Sequence, residues 1–239
     1  MILWISAALI AFFIKGLCGF ANTLVFTSIL GFGEVNVNIS PTELILGYPT
    51  NLILTLKNKR QLKASIFIPL SLLVLAGSIP GAILLKNADT QILKVVFGGV
   101  VVLIGIEMLF REFQSMKSFK ESKVLLGIIG LLSGLLCGLF GIGALLAAYV
   151  GRVTNDTDEF KANISAVFIF ENTIRIVLYS VLGVITKDTI IHSVILMPIM
   201  LIGLFIGMKS AQILDEKLVK IIVIALLIIS GVVLIFNNI

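Results

Sequence analysis

The chain has 239 residues, 59% of them hydrophobic and only 13% charged, with a mean hydropathy of +1.16. Soluble domains run near 45–50% apolar and about 25% charged, so a soluble globular fold is excluded and the chain reads as an all-α polytopic membrane protein. Its net charge of +5 calls for no nucleic acid, because the basic residues gather in short stretches between apolar runs, as membrane topology requires.

A crossing takes roughly 20 apolar residues, so the chain is expected to hold about eight transmembrane helices. The first span, 2–30, opens without the basic n-region or cleavage site of a signal peptide and is read as a membrane helix. It is long for one crossing and is interrupted by Gly16 and Gly19, which fits either one tilted helix or two half-helices meeting at a break. Ser40-Pro41-Thr42-Glu43 has the form of a capping box opening the second span. Tyr48, Pro49, Thr50 and Asn51 make that span too polar for lipid, so it is expected to face protein or a cavity. Spans three and four are expected over 64–85 and 91–110, and spans five to eight over about 124–150, 161–182, 189–210 and 217–236. Asp156 and Glu159 form a helix-start signal before the sixth.

The spans fall into two internally repeated four-helix halves, 1–110 and 124–239, joined by the charged linker 111–123. Gly16 and Gly19 fall on Gly138 and Gly141 at a separation of 122. Gly77-x-x-x-Gly81 meets Gly203-x-x-x-Gly207 at 126, as do Asp89 and Asp215, and Lys94 and Lys220. The first span of each half is thus glycine-interrupted, and the Gly-x-x-x-Gly pairs read as helix-packing seams. Eight full spans would point both halves the same way, whereas a re-entrant first span in each would invert them. Lys57, Lys59, Arg60 and Lys63 argue for a cytoplasmic loop. With eight full spans, however, the lysines of 209–220 lie on the opposite side, against the same rule.

An ionisable group deep in a span costs about 2.5–3.5 kcal/mol, so each asks for a reason. Glu43 and Glu107 lie near expected span ends, within reach of water or headgroups. Glu171 and Arg175 share a helix face at i, i+4 and can pair, which leaves the planar Arg175 fork able to meet an oxyanion. Lys15 has no acid in its own span, and its counterpart at 122 is Cys137, so one cationic position suggests a single anion site between the halves. Helix breaks at 16–22 and 138–144 would leave unpaired N–H groups at a positive dipole end. Asn22, Thr23, Thr50, Asn51, Asn163, Ser165, Asn172 and Thr173 offer neutral hydrogen bonds around it. Cys18 and Cys137 read as packing residues. The single His192 near an interface assembles no metal site with them, and no catalytic serine motif accompanies it.

Two halves that each open with a Ser-Gly-x-x-Gly-Ile-Gly-Gly-like segment, followed by a polar span, a basic loop, a Gly-x-x-x-Gly helix and a final helix, resemble the TauE/SafE family of sulfite-exporter-like permeases. The match is clearest at Ser133-Gly134, at Gly138 to Ala144, and at the two Gly-x-x-x-Gly pairs. The first copy departs at Ala21 and Asn22, and the second at Ala144. The resemblance implies movement of sulfite, thiosulfate or sulfonates such as sulfoacetate across the bacterial inner membrane.

The expectation is therefore a multi-pass secondary transporter of a small anion in the cytoplasmic membrane, with no cofactor and no catalytic residue. Lys15 and Arg175 would neutralise the substrate. Gly16, Gly19, Gly138, Gly141 and Gly143 would present backbone to it, and Asn22, Thr23, Asn51 and Asn172 would orient it. Energy would come from the substrate gradient or from a coupled ion, H+ or Na+, with Glu171 the candidate to carry a proton. The expected partners are the anion, the coupling ion and membrane lipid, with a homodimer left open. The alternatives are a non-transporting membrane subunit and a membrane-embedded enzyme.

Overall fold

A computed structural model describes residues 1–30, 36–87, 95, 98–99, 102–103, 105–107, 109–110, 123–140, 143–154 and 156–236. Every regular element among them is helical. In chain order they are α1 (Ile2–Cys18), α2 (Asn22–Leu30), α3 (Asn36–Lys57), a 3-10 turn (Lys59–Gln61), α4 (Ala64–Asn87), α5 (Lys123–Phe140), α6 (Ala144–Val153), α7 (Thr157–Val181), α8 (Lys187–Ser210) and α9 (Glu216–Phe236). Stretches of α4 (Ala64–Gly81), α7 and α8 are each long and apolar enough to cross a membrane, and α1 is apolar but shorter. Half of 91–110, and all of the linker 111–123 but its last residue, lie outside the described residues. Asp89 and Lys94 lie outside them as well.

Two local signals form as their residue types dictate. Asp156 caps α7, its carboxylate accepting from the Glu159 N–H at 2.8 Å. Thr186 and Thr189 form a reciprocal capping box at the start of α8. The box expected at Ser40 does not form, because α3 begins four residues earlier, at Asn36, and carries Pro41 inside it. Tertiary contacts override the local signal: the Ser40 hydroxyl meets the Tyr179 hydroxyl at 3.2 Å, and Glu43 turns into the protein.

The first glycine-rich segment is two helices, not one. Gly19 ends α1 in the left-handed conformation (φ 87°), with its N–H donating to Lys15 O at 2.7 Å. Ala21 is also left-handed (φ 69°), a conformation that costs a non-glycine residue about 1–2 kcal/mol. The chain then folds back. The Phe26 ring lies 5.8 Å from Trp4 and 6.5 Å from Phe12, whereas a helix continued along α1 would carry it roughly 30 Å from Trp4.

The second segment behaves alike. Helix α5 ends at Phe140, and α6 starts after Gly143. Gly77 faces Leu131 and Gly134, and Gly81 faces Leu135 and Gly138, so α4 and α5 run parallel. Lys63, just before α4, pairs with Glu159 near the start of α7 at 2.7 Å. Helix α6 therefore returns the chain to the end from which α5 set out.

The Gly-x-x-x-Gly pairs are packing seams, and both join opposite parts of the chain. A Cβ on Gly16 would lie 2.9 Å from Gly207 Cα, and one on Gly134 would lie 2.9 Å from Gly77 Cα. Any side chain there would push α1 from α8, or α4 from α5. The broad contact of α3 with α7 lies between these two seams.

Candidate functional site

Both folded-back helices begin at one interior cavity. Its wall includes Phe20, Ala21, Asn22, Thr23 and Leu24 around the α2 start, Gly143 before α6, Lys15 of α1, Glu43 and Asn51 of α3, and Phe168, Asn172 and Arg175 of α7. Its volume of about 20 Å³ has room for one or two waters. The N-termini of α2 and α6, with nine and ten residues, thus present positive dipole ends and unpaired N–H groups to the same space.

Four ionisable side chains converge there, each at most 2% exposed: Lys15, Glu43, Glu171 and Arg175. Arg175 Nη1 donates to the Cys137 carbonyl at the end of α5, and Nη2 lies 3.5 Å from Asn172 Oδ1. Its Nε is 3.6 Å from Glu171 Oε1, and its Nη2 is 3.9 Å from Glu43 Oε2. The Tyr179 ring lies 5.8 Å from the guanidinium carbon, and its hydroxyl donates to Gly138 O at 3.2 Å. These partners hold the guanidinium in place at the cavity wall.

Glu43 was expected near a span end, within reach of headgroups; it is instead buried in the middle of the cluster. The Asn22 amide donates to its Oε1, and Arg175 faces its Oε2. The early start of α3 is the physical reason, since it moves Glu43 from the first turn to the second. Gly47, one turn on, leaves room for the cluster. A Cβ there would stand 3.1 Å from Glu43 Oε1 and 3.5 Å from Asn22 Nδ2. Glu43, Gly47, Thr50 and Asn51 recur at helical spacing on α3, a polar face visible in the sequence once its acid is counted against the two buried cations.

Of the expected site residues, Lys15, Asn22, Thr23, Asn51, Gly143, Asn172 and Arg175 line the cavity. Glu171 pairs with Arg175 from outside the lining. Gly16 lies in the α1–α8 seam, while Gly19 abuts Lys161, whose Cγ a Cβ would meet at 2.6 Å. Gly138 contributes its carbonyl to Tyr179, and Gly141 lies outside the described residues. Asn163 bonds instead to Gln61 O, Glu159 O and the Lys63 N–H, tying α7 to the start of α4. His192 packs against Trp4, 5.8 Å between rings, away from the cavity.

Phe168 and Lys161 escaped the sequence reading. The Phe168 ring packs where a Cβ on Gly143 would stand and forms part of the cavity wall. Lys161 Nζ reaches Gly16 O at 3.4 Å, placing a cation at the carbonyl end of α1. Among the described residues no group of three His, Cys, Asp or Glu side chains is placed to hold a metal ion.

A helical membrane protein with paired buried charges around an interior cavity has the makings of a membrane transporter. The family model described as Sulfite exporter TauE/SafE matches residues 4–234, and the chain belongs to that family. The family is one of transporters, in line with a non-enzymatic role. No curated protein and no solved structure matches the chain.

Proposed function

We propose that the chain is a secondary transporter that carries a small sulfur oxyanion or organosulfonate, such as sulfite, thiosulfate or sulfoacetate, across the bacterial cytoplasmic membrane. The observation that carries this reading is that Lys15 and Arg175, 160 positions apart in the sequence, line one cavity into which two helix N-termini open. Cations, oriented N–H groups and neutral amides are the donors an oxyanion needs once its water is stripped away. Asn22, Thr23, Asn51 and Asn172 orient the anion, and the Arg175 fork meets two of its oxygens.

The fold-back of α2 and α6 supports a topology of six full crossings (α3, α4, 91–110, α7, α8 and α9) and two re-entrant hairpins, with inverted halves, in place of eight spans. Lys57 to Lys63, the linker 111–123 and the lysines of 209–220 then share one side, which the positive-inside rule makes cytoplasmic. Residues 1 and 239 lie on the other. The conflict that eight full spans create at 209–220 disappears. Single cysteines at Lys59 and Lys209 are expected to react with an impermeant maleimide only from the cytoplasmic side; labelling of the two from opposite sides would overturn the inverted arrangement.

Uptake of radiolabelled sulfite, thiosulfate and sulfoacetate into proteoliposomes tests the function. Saturable, mutually competing flux of at least one anion is expected. No flux of any of them would favour a non-transporting membrane subunit.

A further inference from the structure

The formal charges of the four buried side chains that meet at the cavity sum to zero: Lys15 and Arg175 against Glu43 and Glu171, with Lys161 set off the lining at the carbonyl end of α1. A monoanion entering this set adds one negative charge that the four do not compensate, in a place where unpaired charge is heavily penalised. Either the anion is rejected or one carboxylate takes up a proton. The two carboxylates are not equivalent. Glu171 lies one turn from Arg175 on the same helix and outside the cavity lining. Glu43 is part of the wall and faces the Arg175 nitrogen Nη2, so it occupies the ground that an incoming oxyanion must take.

We propose, building on the anion-transport reading above, that Glu43 couples anion movement to protons. Ionised, it holds Arg175 in the empty carrier; when an anion takes that place, one Glu43 oxygen accepts one proton, and the proton leaves with the anion. Anion and proton cross together in the same direction, and a monoanion moves without net charge. The chemistry needs no further group. Protonated Glu43 still accepts from Asn22 through one oxygen and donates through the other, so the displaced acid becomes one more donor to the anion.

The titratable groups around Glu43 are Lys15 of α1, Cys137 of α5, and Glu171, Arg175 and Tyr179 of α7; Cys18 and Lys161 lie beyond Lys15, at the end of α1. Helix α2 offers the neutral Asn22 and Thr23. The ionisable groups of α8 (Lys187, Asp188, His192 and Lys209) lie in its first two turns and its last.

The test uses proteoliposomes enclosing a pH-sensitive dye, at mildly alkaline pH. Labelled thiosulfate and methanesulfonate are the proton probes, because at that pH they carry no proton of their own; labelled sulfite, part of which is present as hydrogensulfite, is read for flux alone. For whichever proton probe enters, wild type is expected to acidify the lumen by one proton per anion, in sodium-free buffer as well as with sodium. Glu43→Gln is expected to exchange anion for anion while moving no protons, and to lose accumulation driven by a pH gradient. Anion entry without acidification, acidification unchanged in Glu43→Gln, or an absolute need for sodium overturns the proposal while leaving anion transport standing. Should Glu43→Gln fail to fold, the wild-type stoichiometry decides. Absence of flux for every probe removes the transport reading and this inference together.

Discussion

The two broken helices reach the same design with different chemistry. In both, an apolar helix stops inside the protein, its last carbonyls take donors from α7, and a short return helix opens onto the cavity. Lys161 meets Gly16 O at the first break, and Arg175 and Tyr179 meet Cys137 O and Gly138 O at the second. They differ one residue before the matched glycines, where the first has Lys15 and the second Cys137. Helix α7 brings a cation to each break, Lys161 to the first and Arg175 to the second, and the first adds Lys15 of its own. Matching scaffolds can thus hold one asymmetric site, with α1 and α7 supplying the positive groups and α3 and α7 the negative ones.

The sharpest way to break this comparison is to remove the cation that serves the second end. Arg175→Leu strands Glu43 and Glu171 as buried carboxylates. It is expected to cost about 3–5 kcal/mol of stability. Losing two charge-assisted hydrogen bonds to the anion, at about 1.5–3 kcal/mol each, adds at least a 100-fold loss of flux. Thermal unfolding in detergent and proteoliposome uptake read the two effects separately. The seams come next. Gly207→Leu and Gly81→Leu are expected to destabilise by similar amounts, about 1–3 kcal/mol each, because both push paired backbones apart. A large effect at one and none at the other would show that the two ends are not built alike. The smallest change is Cys137→Ala, expected to cost under about 1.5 kcal/mol and to leave flux intact; a loss of flux would give Cys137 a role the comparison denies it.

Much of the scaffold was legible in the sequence, because glycine in an apolar run has few other uses. Gly16 and Gly19, and the run from Gly138 to Gly143, mark both breaks, and the Gly-x-x-x-Gly pairs mark both seams. Asp156 marks the start of α7, and the i, i+4 spacing of Glu171 and Arg175 announces their pairing. Which helix each seam meets was not legible, since Gly77 bears no local sign that its partner is Gly134. Glu43 was misread because Ser-Pro-Thr-Glu is a strong local cap, and only the burial of Ser40 and Glu43 against α7 and α2 outweighs it. Lys15 did ask for a partner elsewhere in the chain. The acid that shares its cavity lies in the span whose start was misplaced.

The claim on which the account rests is that Lys15 is kept in the interior for the sake of a passing anion. Uptake of radiolabelled sulfite by Lys15→Met, whose side chain fills the same space without charge, tests it most directly. The account predicts a folded protein with flux reduced at least tenfold, equivalent to about 1.4 kcal/mol of lost anion stabilisation. A folded Lys15→Met protein that carries sulfite as fast as wild type would contradict it.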